Sequence, residues 1–416
     1  MDKKNSPTYC KLAELSFTLD MCGSVCPCTE TSHWLAREDS MHVNVSRDNL
    51  TEVWQNNEMR KEFIRSHNEG EKHPSCKHCW DREEIGVKSI RQLFNELLND
   101  VEVLDSQPRV IVIKPGNKCN NACRSCNEHT SSLWYKDAWK LRGQDKPFKI
   151  WLENFKPHRD SYQINEDQIK KTFAEWQENM VFWDLYGGEP LIIPLTYWII
   201  DSGIALGVSK NQMIQIHTNG TVYDSTLAEK FSKYKQANFC LSIDGLGKQN
   251  DYLRYGSDFD EVLKNTISYY NDFKKYENTY MWLRNSPTPL NIYGLGDWID
   301  FFQDLNIVFR VDHMLNDESY NDLRYLPTEI KLKIKNHLEN SKYNYPNVVA
   351  RHLKPVIQFM MFTPDDHAEK SDSFWIYNNK LDELRNESFA ETFPEYYELF
   401  REYYLATPST PTPGLG

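Results

Sequence analysis

The sequence predicts an α/β fold built around a mostly parallel β-sheet. Six short apolar runs recur between residues 108 and 315, and segments with helical periodicity separate them. The length of the runs and their β-branched and aromatic content are typical of buried strands. Alternating strands and helices favour parallel strands with right-handed crossovers, so the six units form either an open doubly wound sheet or an incomplete (β/α) barrel. The runs are residues 109–114, 180–186, 213–218, 238–244, 279–285 and 307–312.

The spacing of apolar residues predicts the helices. Residues 258–276 carry an apolar face at helical spacing, and residues 297–306 show the same pattern. Another such segment, 87–104, closes the first hundred residues, and the region 316–406 is predicted to be mostly helical. The Pro, Thr and Gly composition of residues 407–416 predicts a flexible tail. The apolar face of the first segment comprises Phe259, Val262, Leu263, Ile267, Tyr270 and Phe273.

Composition narrows the classes of function. The formal net charge is −12 and no long Lys/Arg run occurs, which argues against a general nucleic-acid binder or a membrane-surface binder. The N-terminus lacks the apolar core of a signal peptide, and no run reaches the roughly 18 apolar residues of a membrane span. We therefore expect a cytoplasmic protein. In that compartment its 10 cysteines are better suited to metal binding than to disulfides.

Three cysteines follow the first predicted strand with the spacing C-x3-C-x2-C: Cys119, Cys123 and Cys126. Thiolates select zinc or iron–sulfur clusters, and both a structural zinc ion and an electron-transfer [4Fe–4S] cluster usually take four protein ligands. The loop therefore indicates one of two sites. It holds either zinc with a distant fourth ligand, such as His129 or another cysteine, or a cluster with one iron open to a substrate or cofactor.

Polar or glycine-rich segments end the next three strands. They are Gly187–Pro190 after the second, His217–Thr221 after the third and Leu241–Gly247 after the fourth. Each alone is more often an ordinary turn. Ligands collect at the carboxyl ends of parallel strands, so four such endings, one with three cysteines, predict a binding site at that edge.

The ordered set of motifs over residues 108–315 resembles the radical S-adenosylmethionine (SAM) superfamily. The resemblance implies a partial (β/α)6 TIM-like barrel whose three loop cysteines bind a [4Fe–4S] cluster, with SAM on the open iron. It places Gly187, Gly188, Glu189 and Pro190 at the methionine end of SAM. It suggests further SAM contacts from Asn219, Ser242, Asp244 and Arg254, and it assigns no catalytic acid or base.

One residue departs from the family pattern. Relatives usually carry an aromatic residue before the third cysteine, where it packs near the adenine of SAM, but this chain has Ser125. We expect another side chain to pack against adenine, and Phe182, Trp183 and Tyr186 are the candidates.

The cysteines of the first hundred residues form a second group. Cys10-x12-Gly-x4-Cys28 and the later pair Cys76-x2-Cys79 resemble the twitch domain, a shortened relative of the SPASM domain that holds an auxiliary [4Fe–4S] cluster. The spacing favours these four cysteines over Cys22 and Cys26. A four-cysteine zinc site is the alternative, since it has the same ligand chemistry. Cys240 is predicted to be a small buried apolar residue.

These resemblances imply an enzyme that cleaves SAM to a 5′-deoxyadenosyl radical, which abstracts hydrogen from a substrate. A peptide or protein substrate is the leading interpretation, and a sugar or nucleotide derivative is the second. A non-catalytic iron–sulfur or zinc protein is the alternative from another class. A flavodoxin or ferredoxin would supply the electron. The implied domains are an auxiliary-cluster domain at 1–100, the radical SAM core at 101–315, a helical C-terminal extension at 316–406 and a tail at 407–416.

Overall fold

The structure used here is a computed structural model, and the predicted tail at 407–416 lies outside the part of it that is described. The described residues are 4, 6–31, 34–84, 86, 88–142, 146–152, 165–312, 314–315 and 318–406.

One eight-stranded sheet forms the centre of the described structure. Its order is β2-β1-β3-β4-β5-β6-β7-β8, with β1 and β2 antiparallel and the remaining pairs parallel. Among the described strands, β2 and β8 are the unpaired ends, so the sheet is an open, partial barrel. The strands are β1 (Ser16–Leu19), β2 (Val25–Cys26), β3 (Val110–Ile113), β4 (Phe182–Leu185), β5 (Met213–Thr218), β6 (Gln236–Ser242), β7 (Thr279–Asn285) and β8 (Phe309–Val311).

The six strands expected from the sequence are β3 to β8, and the α/β prediction is confirmed. Two further strands, β1 and β2, come from the first hundred residues. Ser16 of β1 lies opposite Val110 of β3, so part of the cysteine-rich region belongs to the same sheet. β1 has four residues and β2 has two, which is too short for a periodic pattern. The sequence therefore did not reveal these strands. The predicted domain boundary at residue 100 stays a prediction.

Helices follow most of the strands and account for most of the C-terminal region. No helix in the described ranges is long and apolar enough to cross a membrane. The helices before β4 are α1 (Lys11–Leu15), α2 (Leu50–Asn56), α3 (Glu58–Glu69), α4 (Lys77–Glu84), α5 (Ile90–Leu97), α6 (Tyr135–Arg142) and α7 (Glu166–Trp176). Those after β4 are α8 (Pro194–Ala205), α9 (Leu227–Phe231), α10 (Lys248–Leu253), α11 (Phe259–Phe273), α12 (Leu295–Asp304), α13 (Thr328–Asn340), α14 (Pro346–Met361), α15 (His367–Lys370), α16 (Ser373–Arg385), α17 (Phe389–Thr392) and α18 (Pro394–Ala406).

Local signals fix several helix starts. Asp258 caps α11 by accepting a hydrogen bond from the backbone N–H of Glu261, and Ser89 and Gln92 form a capping box at α5. The buried face of α11 differs slightly from the predicted one. Ile267 is 40% exposed, whereas Tyr269, which was not on the predicted face, is fully buried.

The strands alternate between two environments. Outward-facing residues such as Ile111, Trp183 and Ile214 join the main core with the surrounding helices. The first inward-facing residues of β3, β4 and β5 instead pack into a second core with the N-terminal cysteine-rich region. This second core places that region at the amino ends of the strands, while the Cys119–Cys126 loop follows the carboxyl end of β3. The first inward-facing residues are Val110, Phe182 and Met213.

The C-terminal helices dock on the partial barrel through aromatic residues. Tyr396 of α18 is buried, stacks on Tyr293 with ring centroids 4.8 Å apart, and donates a hydrogen bond from its hydroxyl to the carbonyl oxygen of Pro289 at 2.6 Å. The docking therefore depends on a buried polar contact as well as on apolar burial.

Replacing Tyr396 tests this docking. Tyr396→Phe leaves the Pro289 carbonyl without its donor and should lower the free energy of unfolding by about 1–3 kcal/mol. Tyr396→Ala should cost about 3–5 kcal/mol, because it also empties a packed site. Chemical denaturation of the two variants checks both values, and equal stability of the Phe variant and the native chain would contradict the buried hydrogen bond.

Candidate active site

The three loop cysteines lie together after β3. Cys123 is buried, and Cys119 and Cys126 are partly buried. The backbone N–H of Cys126 donates to the carbonyl of Cys123 at 3.0 Å, so these two residues close one tight turn. Burial and the nearby Cys123 raise the pKa of Cys119 to about 11. The Cys119 thiol therefore holds its proton unless a metal ion replaces it, whereas a hydrogen bond with Cys123 lowers the pKa of Cys126.

Hydrogen bonds from several elements hold this loop. The backbone N–H of Ala122 donates to the carbonyl of Tyr255 at 2.8 Å, and that of Arg124 donates to the carbonyl of Leu253 at 2.8 Å. The indole N–H of Trp134 donates to the carbonyl of Cys123 at 2.9 Å. The backbone around the cysteines is thus fixed by neighbours rather than by regular secondary structure.

The glycines after β4 allow a close approach to the cysteine loop. Gly187 and Gly188 have φ of +87° and +57°, the left-handed region that glycine adopts without strain. A Cβ on Gly188 would overlap the carbonyl oxygen of Lys118, and the next N–H, from Glu189, donates to that same carbonyl at 2.9 Å. Contact between two backbones therefore requires glycine at 188, whereas a Cβ on Gly187 would overlap the side chain of Lys114.

Glu189 organises the strand ends. Its carboxylate accepts hydrogen bonds from the Leu191 N–H at 3.0 Å, the Thr218 hydroxyl at 2.7 Å and the Asn219 N–H at 2.7 Å. The side chain is fully buried, and burial raises its pKa. The family resemblance places Glu189 at the methionine end of SAM. Its internal partners give it the additional role of joining the ends of β4 and β5.

Asp244 and Arg254 form a buried ion pair beside the cysteines. Arg254 Nη2 lies 2.8 Å from Asp244 Oδ2, and within the described part of the chain Arg254 Nε has no hydrogen-bond partner. Burial opposes the charge of Arg254, but Asp244 and the thiols of Cys123 and Cys126 raise its pKa. A buried guanidinium with an unpaired N–H fits a carboxylate ligand.

The other predicted contacts lie nearby. The Asn219 side chain donates to Asn120 Oδ1 at 2.8 Å and lies 3.9 Å from Cys119 Sγ. Ser242 is the last residue of β6, directly opposite Arg284 of β7. The structure therefore brings the sequence-predicted residues of the strand ends to one side of the cysteine loop. Their individual roles stay predictions.

A cavity that is partly open to solvent adjoins Ser125. Leu253 and Leu290 supply its apolar wall, which can take the place of the missing aromatic residue. Phe182 packs in the second core at the start of β4, and Trp183 faces the helices with no exposed surface. Tyr186, the third candidate, lies beside His217 with ring centroids 5.5 Å apart, and none of the three lines this cavity. Its remaining lining residues are Asp244, Thr288, Asn291 and Asn321.

The zinc alternative at this loop requires His129 or another cysteine as the fourth ligand. His129, the proposed fourth ligand, is 52% exposed, and its Nε2 lies 3.9 Å from Glu128 Oε1. Within the described ranges, no three His, Cys, Asp or Glu side chains are arranged to hold one metal ion.

Four of the N-terminal cysteines, Cys10, Cys28, Cys76 and Cys79, line a second cavity that is partly open to solvent. Burial raises the pKa of Cys10 and of Cys76 to about 12 in each case. His67 Nε2 lies 3.5 Å from Cys76 Sγ. Four thiols around one cavity fit a cluster, whose irons spread the ligands over several centres.

Cys22 and Cys26 do not line this cavity. The Cys22 thiol donates to Asp20 Oδ1 at 3.0 Å, and the Cys26 thiol donates to the carbonyl of Cys28 at 3.4 Å. The structure thus separates the four predicted ligands from the two neighbours that the sequence left open. The ligand assignment itself stays a prediction.

The inner face of the sheet carries polar side chains that the sequence analysis did not single out. His217 Nε2 lies 3.2 Å from Asp184 Oδ1, and the Gln215 amide donates to the same oxygen at 3.2 Å. The Lys114 ammonium lies 5.1 Å from the centre of the Tyr186 ring. On β7, Arg284 Nε lies 3.3 Å from Asp312 Oδ1.

His217 lies between an acid and a thiol. Burial opposes protonation of its ring, but Cys240 and Asp184 outweigh burial and raise the pKa of His217 to about 9. The imidazole therefore holds a proton at neutral pH. Cys240, expected to be a buried apolar residue, is buried but contacts this histidine.

A sequence signal for this group existed. Asp184 and Arg284 each interrupt a largely apolar run, and Gln215 and His217 stand two residues apart in a third. In a sheet covered on both faces such residues have to face one another or a ligand.

Comparison with known families agrees with these two sites. The profile of the radical SAM superfamily matches residues 113–281, and the profile named SPASM, an iron–sulfur cluster-binding domain, matches residues 10–80. The chain is a member of the radical SAM superfamily. It pairs a radical SAM domain, which has a SAM-binding [4Fe–4S] cluster, with an N-terminal SPASM-type domain for auxiliary iron–sulfur binding. Both resemblances found in the sequence are confirmed, and the shorter twitch form stays a prediction.

Solved structures with similar folds are distant from this radical SAM chain. They include anSMEcpe with bound AdoMet, at 21% identity and TM-score 0.37 over 61% of this chain and 60% of that one. They also include Streptococcus suis SuiB bound to S-adenosylmethionine, at 16% identity and TM-score 0.34 over 78% and 68% of the two chains. SuiB bound to its precursor peptide SuiA gives 15% identity and TM-score 0.34 over 79% and 68%. The chain spans 60% of the length of the first of these proteins. No curated protein sequence matches it.

Replacing Gly188 tests the contact between the two backbones. Gly188→Ala should lower the free energy of unfolding by about 1–3 kcal/mol, because alanine at this φ is strained and its Cβ overlaps Lys118. It should also weaken SAM binding in equilibrium dialysis. Gly207→Ala is the matched control, since Gly207 has φ +69° and open space around the added Cβ. SAM binding equal in both variants would contradict the proposed role of this contact.

The His217–Asp184 pair predicts a pH-dependent stability. The pKa of His217 is raised to about 9, so its contribution is fully present below about pH 6.5 and is lost as the pH rises through about 9. His217→Gln should therefore lower the free energy of unfolding by about 2 kcal/mol at pH 6.5 and by much less at pH 10. Urea denaturation at both pH values measures this, and a pH-independent difference would rule out a protonated His217.

Proposed function

We propose that the protein cleaves SAM reductively at a cluster held by Cys119, Cys123 and Cys126, and that a substrate reacts inside the partial barrel. The main support is the arrangement at the carboxyl ends of the strands. Three thiols share one loop, glycine backbone lies directly against it, and the buried Arg254 Nε points to an anionic ligand. A closed four-ligand site would require none of these neighbours.

When bound, the cluster would supply the one electron that reductive cleavage of SAM requires, and the radical chemistry this starts would remove hydrogen from the substrate. Residues of the chain would bind and orient SAM. Gly187 and Gly188 offer backbone groups to the methionine end, and Arg254 offers its free N–H to the carboxylate. Asp244 and Ser242 are placed for the ribose hydroxyls. Leu253 and Leu290 supply an apolar surface for adenine beside Ser125.

The inner face of the sheet is the proposed substrate site. Protonated His217 donates hydrogen bonds at neutral pH, and Lys114, Asp184 and Arg284 supply charge on the same face. These groups match the amides and charged side chains of a peptide, so we propose a peptide or protein substrate. A sugar or nucleotide derivative is the second candidate, because hydroxyl groups suit the same donors and acceptors.

The N-terminal cavity is the proposed auxiliary-cluster site. Cys10, Cys28, Cys76 and Cys79 would hold the cluster there. It would accept an electron from the product side of the reaction or bind the substrate. We also propose a cytoplasmic location and a flavodoxin or ferredoxin as reductant, since iron–sulfur thiolates persist in a reducing compartment.

Release of 5′-deoxyadenosine tests the activity. The anaerobically reconstituted protein, given dithionite and SAM, should produce it, and quantitative mass spectrometry detects it. Cys126→Ala should abolish production, because it removes a ligand of the SAM-binding cluster. Cys22→Ala is the matched control and should behave like the native chain. A native chain that binds two clusters' worth of iron yet releases no 5′-deoxyadenosine supports the non-catalytic alternative.

The two cysteine groups should differ in their effects. Cys76→Ala removes a proposed auxiliary ligand, so it should spare SAM cleavage without substrate more than it spares product formation. Candidate peptides screened for mass change in the presence of the native enzyme supply the product readout. Equal losses in Cys76→Ala and Cys126→Ala would show that the proposed division of roles is wrong.

A further inference from the structure

The C-terminal helices reach the cysteine loop through one buried arginine. Arg124 lies between Cys123 and Cys126, and only 1% of its side chain is exposed. Its Nη1 donates to Asn378 Oδ1 at 2.7 Å, and its Nη2 donates to Asp382 Oδ1 at 2.5 Å. Both partners belong to α16, more than 250 residues away along the chain.

Two further hydrogen bonds engage other N–H groups of the Arg124 guanidinium. Nη2 also donates to Glu387 Oε2 at 2.9 Å, and Nε donates to the backbone carbonyl of Tyr252 at 3.1 Å. The guanidinium carbon lies 3.6 Å from the centre of the Tyr252 ring. Burying an arginine is costly unless its N–H groups are paired, and here partners surround it. A planar fork of this kind is a property of arginine that lysine lacks.

The acceptors are themselves held in place. Asp382 accepts hydrogen bonds from the Tyr252 hydroxyl at 2.7 Å and from the Phe389 N–H at 2.6 Å. Asp382 therefore joins α16, the start of α17, α10 and the cysteine loop. Because these hydrogen bonds fix the Asp382 carboxylate, they also fix the Arg124 guanidinium that donates to it.

A second contact supports the same loop from the same helix. Arg385, at the end of α16, lies with Nε 2.9 Å from Asp137 Oδ2 and with its guanidinium carbon 4.5 Å from the centre of the Trp134 ring. Trp134 in turn donates to the Cys123 carbonyl. Ala122, Trp134 and Leu381 pack in one small apolar core, with Cys126 partly buried against it.

We infer that α16 and α17 form the support on which the SAM-binding cysteine loop is positioned, and that Arg124 is the positioning residue. This rests on the proposed function, since it takes Cys119, Cys123 and Cys126 as cluster ligands. It assigns a role to the C-terminal region, which otherwise has none. It also accounts for the sequence around Ser125. Arg124, the residue before it, points away from the SAM cavity toward α16. The turn that joins Cys123 and Cys126 sets the position of Cys126.

Cluster release, compared between the two sites of one chain, tests this inference. Arg124→Gln and Asp382→Asn each remove the charge pairing while keeping a similar side-chain size. Each should speed the loss of the SAM-binding cluster to a chelator by about 10-fold to 100-fold, the range for residues that orient metal ligands. The auxiliary cluster should be lost at its native rate. The variant with Cys119, Cys123 and Cys126 all replaced by Ser gives the reference rate for the auxiliary cluster alone.

Arg124→Lys separates geometry from charge. Lysine retains the positive charge but cannot make the forked contact, so this variant should resemble Arg124→Gln rather than the native chain. Asp366→Asn is the matched control in the same C-terminal region, because Asp366 contacts Tyr325 and Lys370 and lies away from the loop. It should leave both release rates unchanged.

An EPR measurement gives a readout that a purely structural role would not move. Adding SAM to the reduced native protein should shift the signal of the cluster in the Cys119–Cys126 loop, and the shift should be lost or broadened in Arg124→Gln. Loss of both clusters together, with unfolding, would overturn the inference and assign Arg124 to general stability. Native release rates with a native EPR shift would also overturn it. Absence of any SAM-induced shift in the native protein is a different result, and it contradicts the proposed function.

Discussion

Contact between the Gly188–Glu189 backbone and the carbonyl of Lys118 is the constraint on which the site depends. It brings the end of β4 against the start of the cysteine loop, at a distance that a side chain would prevent. Glu189 then joins this turn to the end of β5 through Thr218 and Asn219. The loop after one strand and the turns after the next two are therefore linked directly, and they include the predicted SAM contacts from Gly187 to Pro190 and at Asn219.

The chain has two cysteine sites that differ in the number of thiols they offer. At the carboxyl ends of the strands it offers three thiols and leaves room beside them, next to Arg254 and the Ser125 cavity. Near the amino ends it offers four thiols around one cavity. An open cluster suits a site that binds SAM, and a closed cluster suits electron transfer or structure. The polar inner face of the sheet, including His217 and Asp184, belongs to the same partial barrel.

Much of the fold and the site could be predicted from the sequence, because both rest on short-range patterns. Buried strands are marked by apolar runs, and the cysteine spacing and the Gly-Gly pair are local. What was missed depends on contacts distant in sequence. β1 and β2 are too short to recognise without their partner β3. Arg124 resembles any surface arginine until Asp382 and Asn378 are seen beside it. The pairing of His217 with Asp184 becomes visible only when adjacent strands place the two side chains 3.2 Å apart.

The central claim is that the open position at the Cys119, Cys123 and Cys126 cluster is filled by the amino-acid end of SAM. Pulsed EPR of the reduced protein, with SAM labelled with 15N at the amino group and with 17O at the carboxylate, measures this directly. The account predicts hyperfine coupling from both labels to the reduced cluster. A reduced cluster at these cysteines that shows no coupling to either label would contradict it.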